Sequence, residues 1–537
     1  MLFNSAIFIF AFLPITLAGY YTLLYFSRTE LSLAWLTGCS LVFYGWWNPA
    51  HLWLITASIA FNYTIGRLIS HPGKFRRSGL VFGVIANLAA LGYYKYYDFF
   101  ASTLNSSLNT DFNLQHIVLP LAISFFTFTQ IAFLVDSYRG VANEYNFLHY
   151  CLFVTFFTHL IAGPIVHHKE LLPQFLRRER QQFNIDLFSV GLAIFIFGLF
   201  KKIILSDSLS ASVANVYGTS GTSGMENPDF FQSWISTLSY TLQLYFDFSG
   251  YSDMAIGLSL LFGVKLPINF NSPYKAHNII DFWRRWHITL SNFLRDYLYI
   301  ALGGNRKGPL RRYINLWLTM LLGGAWHGAS LNFIVWGALH GTYLVCNHAW
   351  RTLCNNLFGT KPPRLVRPLV TVSAVGITFL ATVFAWVFFR ADTLHSATSI
   401  AAAMLGKNGF SFLQVATDFA AISAALKEVS LEVSKLAELS WLQRGIIFTL
   451  SAQKIDFGTV GTLANITALL LVVWFFPNTT EIFRKYNPAL GLDVSHIKVR
   501  WHFALTPRVG FSIGIVTVFT LARLFSGTPS EFMYFNF

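Results

Sequence analysis

Charge is what this chain has least of. Only 12% of its 537 residues are Asp, Glu, Lys or Arg, against about 25% in an average soluble domain, while 54% are hydrophobic and the mean hydropathy is +0.51. That shortage excludes a soluble globular protein and leaves an all-α polytopic membrane protein. Acidic residues are scarcer than basic ones, 24 against 38. The surplus does not indicate nucleic acid, because Lys and Arg gather in short loops between apolar runs, the pattern of cytoplasmic loops and of contact with lipid headgroups. Cysteine is also sparse: Cys39, Cys151, Cys346 and Cys354 are scattered, which excludes a disulfide framework and a zinc spacing, and no metal site is expected. Met1 to Phe26 lacks a basic n-region and a small-residue cleavage site, so it reads as a retained first helix. There are no internal repeats and no low-complexity tracts. No Gly-x-Ser-x-Gly elbow, Walker loop, dinucleotide fingerprint or His-Glu-x-x-His motif occurs, which removes the common hydrolase, nucleotide and zinc-protease readings.

What the chain does have is aromatic and apolar length. Tyr and Trp suit the two membrane interfaces, and Phe suits lipid and neighbouring helices. Apolar runs from 3–26 to 507–526 are candidate spans. Two short ones, 252–264 and 313–326, carry Ser-Gly and Gly-Gly breaks in or beside them. They predict re-entrant or half helices, which need protein or water around them, and hence a cavity within the membrane. The loop Arg67 to Arg77 holds Lys74, Arg76 and Arg77, whereas 98–115 and 206–232 hold no Lys or Arg. The basic loops therefore go inside and the bare ones outside. Both termini then lie outside, with 147–166 dipping in and returning and the number of crossings between 233 and 302 open. The division expected is a catalytic core over 1–390, an extracytoplasmic amphipathic segment over 391–460 and C-terminal membrane helices over 461–537. Within the second, Ala420 to Leu442 reads as an amphipathic helix with Lys427, Glu428, Glu432, Lys435 and Glu438 on it, either lying at the interface or docking a periplasmic partner.

Chemistry concentrates between Asp281 and His340. Two histidines, His287 in Phe-Trp-Arg-Arg-Trp-His and His327 in Gly-Gly-Ala-Trp-His-Gly-Ala, sit among tryptophan-rich apolar segments. Imidazole moves protons near pH 7, and ionisable groups at membrane depth are costly enough to mark function. Asp281 to Tyr299 reads as one helix, with Trp283, His287, Leu290 and Leu294 on a shared face and an i,i+4 pair between Asp281 and Arg285. Arg284, Arg285 and Lys307 are candidates to hold an anionic donor, or else solvated arginines and lysine facing headgroups. Gly323, Gly324 and Gly328 allow close approach and a sharp turn at His327. His340 reads as a satisfied buried histidine. Asp247 and Asp253 can orient a histidine or pair with Lys201 and Lys202, and the lysines can instead snorkel. The surviving chemistry is histidine-based group transfer, from a cytoplasmic thioester to a hydroxyl outside, with histidine taking the hydroxyl proton. A transporter also places His and Asp in the membrane, but the chain lacks the internal repeat many transporters show.

The run Phe282-Trp-Arg-Arg-Trp-His287-Ile-Thr-Leu-Ser, then Leu294-Arg-Asp-Tyr-Leu-Tyr-Ile-Ala-Leu-Gly-Gly-Asn-Arg306-Lys, then Leu321-Leu-Gly-Gly-Ala-Trp-His327-Gly-Ala-Ser, resembles the membrane-bound O-acyltransferase (MBOAT) family, and within it the bacterial alginate O-acetyltransferase-like branch. Further matching stretches include His159-Leu-Ile-Ala-Gly-Pro164, Gly198-Leu-Phe-Lys201-Lys202, Pro267-Ile-Asn-Phe-Asn-Ser-Pro273, Trp386-Val-Phe-Phe-Arg390 and the closing Glu531-Phe-Met-Tyr-Phe-Asn-Phe. The resemblance implies a ring of transmembrane and re-entrant helices around a central funnel. It implies that His327 is the catalytic histidine and His287 the second histidine of the site. It further implies acetyl-CoA as the acyl-donor substrate with no bound cofactor, a polysaccharide acceptor such as alginate, and a periplasmic esterase-like partner. D-alanyl-type transfer to another envelope polymer is the nearest alternative. Residues 400–460 depart from the branch, which puts the particular polysaccharide in doubt.

Overall fold

The structure, a computed structural model, describes residues 1–142, 146–176, 183–219, 222–358, 366–411, 413–434, 458–491, 504, 506–527, 530 and 532–533. Among these residues there is no strand, only two isolated bridges, and six helical stretches are long and apolar enough to cross a membrane. The chain runs through α1 (Leu13–Tyr25), α2 (Thr29–Gly45), α3 (Leu52–Ser70), α4 (Arg76–Leu91), α5 (Tyr97–Leu108), α6 (Ile123–Tyr138), α7 (Phe147–Thr155), α8 (Phe157–Leu160), α9 (His168–Leu176) and α10 (Ile185–Phe200). It continues through α11 (Ser210–Tyr217), α12 (Phe230–Leu261), α13 (Ile279–Trp283), α14 (Ile288–Phe293), α15 (Gly308–His327), α16 (Leu331–Phe358), α17 (Arg367–Arg390), α18 (Leu394–Met404), α19 (Leu413–Ser434), α20 (Gly458–Phe475), α21 (Thr479–Ile482) and α22 (Pro507–Ser526).

The two short apolar runs are not half helices. Residues 233–247 and 252–264 fall largely within α12, a single helix of 32 residues, and 313–326 is the later part of α15, whose 20 residues rise about 30 Å, a membrane thickness. The glycines that looked like breaks serve close packing instead. A Cβ on Gly250 would stand 2.8 Å from the Gly198 carbonyl oxygen of α10, and one on Gly324 would stand 2.3 Å from the Phe333 carbonyl oxygen of α16. The irregularities lie elsewhere. Phe156, at φ −49° and ψ 110°, separates α7 from α8. Wider π-helical turns follow α4 at Gly92–Tyr96, α10 at Lys201–Ser206 and α14 at Leu294–Tyr299. Such turns are frequent where function bends a helix, and these three carry Lys95, Lys202 and Tyr297.

By contacts the chain forms two compact units. One comprises Met1–Asp207, Leu244–Leu380 and Pro477–Phe537, and the other Ser208–Gln243 and Ala381–Phe476. In the second unit the Trp234 indole donates to the Met404 carbonyl at 3.0 Å and Arg390 to the Gly218 carbonyl at 2.9 Å. There α19 carries the first part of the expected amphipathic segment, and 435–442 lie outside the described residues.

In the first unit α6 joins two distinct ends. At its end Arg76, from the basic loop, donates to the Tyr138 carbonyl and lies 4.8 Å over the Tyr138 ring. At its start Ser124 lies 3.4 Å from the Lys95 ammonium, which also bonds the carbonyl of His327. The 16 residues of α6 rise about 24 Å. The two ends of α6 are thereby distinguished: basic loop at one, the His327 backbone at the other.

The interior of this unit also holds ion pairs. Lys201 meets Asp253 at 2.6 Å, and Lys202 meets Asp247 at 2.6 Å and Asp207 at 3.2 Å. The side chains of Lys202 and Asp247 are 4% and 0% exposed, so the lysines pair rather than snorkel. Asp247 also accepts from the Met533 backbone N–H at 3.0 Å.

Candidate active site

His327 is the last residue of α15, and Gly328 leaves the helix in extended conformation. Its ring meets Trp336 edge-on, with centroids 5.1 Å apart at 90°, and Trp336 in turn lies 4.7 Å from the ring of His340. The indole of Trp283 donates to His340 Nδ1 at 3.3 Å. That bond engages Nδ1 of His340, which is buried as its sequence setting suggests. The hairpin of α15 and α16 therefore brings His327 and His340 together through a tryptophan, and α13 closes on them through Trp283. His327 lies within electrostatic range of His287, His340 and Lys95.

His287 is presented differently from the expectation of one continuous helix. Helix α13 ends at Trp283 and α14 begins at Ile288, with His287 between them at φ 42° and ψ 55°. A left-handed backbone at a non-glycine residue costs of the order of 1–3 kcal/mol and persists where its surroundings hold it. Here the holder is Asn269. Its backbone carbonyl accepts from Ile288 N–H at 3.0 Å, and its Oδ1 accepts from the Thr289 hydroxyl at 2.6 Å and lies 3.3 Å from His287 Nδ1. The Thr289 hydroxyl accepts in turn from Ile165 N–H at 3.0 Å. Phe248 packs edge-on against the His287 ring at 4.8 Å, and Phe532 stands behind Phe248 at 5.6 Å. Because Asn269 and His287 are both fully buried, Asn269→Ala is expected to lower unfolding stability by about 1–3 kcal/mol. Thermal unfolding of the detergent-purified protein measures it, and an unshifted midpoint would show that these bonds add no net stability.

Of the basic residues singled out as anion ligands, one is already engaged. Arg285 is committed to Asp281, Nε to Oδ1 at 2.9 Å, and to the Asn271 carbonyl at 3.3 Å, so the expected i,i+4 pair forms. Arg284 and Lys307 are exposed.

Three groups escaped the sequence reading. Asn269 lay in a quoted motif without a role. Lys95 was hidden in an apolar run. The third is a file of stacked rings that leads away from His327: Trp326 on Phe128 at 4.9 Å, Phe128 on Phe293 at 4.2 Å and Phe293 on Tyr297 at 4.9 Å. It ends at polar groups, where the Tyr297 hydroxyl donates to Asp136 Oδ1 at 2.9 Å and stands 3.1 Å from His167 Nδ1. The Asp136 carboxylate beside His167 holds that imidazole's pKa above its ordinary value. Asp136 belongs to the basic-loop end of α6, so the file runs along α6.

On the other side of His327 the residues Gly328, Ala329 and Ser330 line a cavity of about 530 Å³, together with Lys95, Asp98, Phe99, Ser102 and Phe333. Hydroxyl, charged and aromatic side chains meet there, one residue along the chain from His327. Such a place can receive a polar acceptor and remove its proton.

Comparisons with known proteins agree in direction. A family profile described as MBOAT, membrane-bound O-acyltransferase family, matches residues 108–389. The peptidoglycan O-acetyltransferase of Helicobacter pylori is 44% identical over 446 residues, covering 78% of this chain and 82% of that protein. The probable alginate O-acetylase AlgI of Pseudomonas aeruginosa is 43% identical over 412 residues, 75% of each chain. The teichoic acid D-alanyltransferase of Bacillus subtilis is more distant, 27% identical over 52% of this chain and 71% of that protein.

Proposed function

The chain belongs to the membrane-bound O-acyltransferase family, and on that premise we propose that it carries acetyl groups from acetyl-CoA, arriving at the basic-loop face, to a hydroxyl presented at the opposite face for O-acetylation of an exported or cell-surface polysaccharide. It is a multi-pass membrane protein and an acyltransferase. Alginate and peptidoglycan are the acceptors named for its relatives, and an anionic envelope glycan of that kind is the acceptor class proposed here.

The observation that carries the reading is the position of His327. It ends α15 at the face away from the basic loop, one residue from a polar cavity, with His287 and His340 in electrostatic range. In the proposed step His327 takes the proton of the acceptor hydroxyl. The oxygen attacks the thioester carbonyl, the carbon–sulfur bond breaks, and the leaving thiolate receives the proton from the imidazolium. Atoms balance as thioester plus alcohol to ester plus thiol. His287, clamped by Asn269, is the second imidazole and orients the acyl carbonyl. Arg284, Arg285 and Lys307, proposed at the outset for the donor's phosphates, act as separate charges at the protein surface, with Arg285 already engaged by Asp281. A periplasmic esterase-like protein fits as the partner that passes the acetyl group to the glycan.

The experiment is label transfer from radiolabelled acetyl-CoA to extracted polysaccharide in membranes with and without the protein. Label that depends on the protein supports the reading. Equal label in both, or label only when an acyl-carrier protein replaces acetyl-CoA, overturns the donor.

A further inference from the structure

We propose that Lys95 is a positioning residue for this transfer, a cation that grips the end of α15 and sets where His327 stands. The inference rests on the reading of His327 as the general base.

Helix α4 opens into the π-helical turn Gly92–Tyr96, which turns two consecutive side chains onto the last turn of α15. The Tyr96 hydroxyl donates to the Ala325 carbonyl at 2.8 Å. The Lys95 ammonium donates to the carbonyls of Trp326 at 2.7 Å and His327 at 2.9 Å, stands 3.4 Å from Ser124 Oγ and lies 5.9 Å over the Trp326 ring. Three successive carbonyls without helical partners are thus occupied from one neighbouring segment. A cation at a helix C-terminus is favourable, but water satisfies such carbonyls at a cavity wall at far less desolvation cost than a lysine side chain drawn into the protein.

The charge is also unmatched. Among the described residues no carboxylate stands within ion-pair reach of Lys95. Asp98 lines the same cavity, yet its two oxygens accept from the backbone N–H groups of Gln115 at 2.8 Å and Ile117 at 2.9 Å. An ammonium kept in a membrane protein without a carboxylate is a poor device for stability alone. Its bonds converge on the one residue whose imidazole position the transfer depends on. Gly328 follows at once in extended conformation, so the chain beyond His327 supplies no helical turn to hold it. Displacements of about 1 Å at a reacting centre cost on the order of 10²-fold in rate.

The test uses the full-length enzyme in cell membranes that retain the periplasmic partner, with acetyl-CoA and the extracted glycan. Lys95→Cys is expected to lower kcat by about 10²-fold with the KM for acetyl-CoA unchanged. Because Lys95 lines the cavity, 2-bromoethylamine reaches the new thiol and rebuilds an ammonium on a thioether stem. Most of the lost kcat should return, while iodoacetamide, which adds a neutral amide, returns none. Wild type treated in parallel controls for its four native cysteines. A wild-type kcat in Lys95→Cys, or equal recovery with both reagents, overturns the proposal. If Lys95→Cys does not fold, Lys95→Arg keeps the cation and displaces it. A reduced kcat at unchanged melting temperature then supports positioning, and a lower melting temperature at wild-type kcat shows a structural cap only. Absence of label transfer by wild type itself would overturn the transferase reading, a separate failure.

Discussion

Membranes carrying His327→Ala transfer acetyl label at least about 10²–10⁴-fold more slowly than wild type, the usual contribution of a positioned general base, with the protein present in equal amount. The expectation follows from where the side chain lies. His327 ends a well-packed helical hairpin, and its ring touches the flanking tryptophans Trp326 and Trp336. Truncation therefore removes the imidazole without unseating α15 from α16, whose contact is made by Gly324 and Gly337 backbones. His340→Ala is the instructive contrast, because Trp283 already donates to that ring. It should lower stability and leave measurable transfer. If His340→Ala abolishes label while His327→Ala keeps a substantial fraction, the general base is His340 and the assignment is wrong. His287→Ala belongs between them, with slowed transfer at retained donor binding.

The second large effect is on stability. Asp247→Ala should destabilise the protein by about 3–5 kcal/mol, the cost of removing one partner of a buried pair, out of a total that is commonly 5–15 kcal/mol. Asp247 is fully buried and 2.6 Å from Lys202. Its loss removes the 2.6 Å partner of Lys202 and the acceptor of the Met533 N–H. Asp247→Leu combined with Lys202→Met removes both charges and should recover most of the loss, since an apolar pair of similar volume is often as stable as the ion pair it replaces. Thermal unfolding of the purified variants decides this. Equal destabilisation in the single and double variants would show that packing, not charge, governs the site.

The helical membrane character was legible because hydrophobic length and scarce charge are local properties of the chain. So was the Asp281–Arg285 pair, which depends only on i,i+4 spacing. The break at His287 was not, because helical periodicity continues across it. Only the clamp from Asn269, 18 residues earlier, reveals a left-handed residue there. Lys95 lies 232 residues from the carbonyl it holds, and no local pattern joins them. The glycines misled in an informative way. Ser249-Gly250 and Gly323-Gly324 read as breaks, yet they mark where two helix backbones touch, since removing a side chain frees space as readily as it frees φ. Arg284, Arg285 and Lys307 were grouped by sign and sequence proximity, and the engagement of Arg285 by Asp281 follows from the same local spacing.

The file of rings from Trp326 to Tyr297 bears on a hazard for any protein that hands a chemical group through a bilayer. A passage wet enough for a polar donor is also a passage for protons, and the energised membrane would discharge through it. Phe128 and Phe293, stacked 4.2 Å apart at 15°, offer no hydrogen-bonding group between the Asp136–His167–Tyr297 cluster and the neighbourhood of His327. Along that line a Grotthuss relay has no rungs. Along this file the imidazoles at one end and the titratable cluster at the other are separated by apolar rings, so under the proposed transfer the file itself carries no protons.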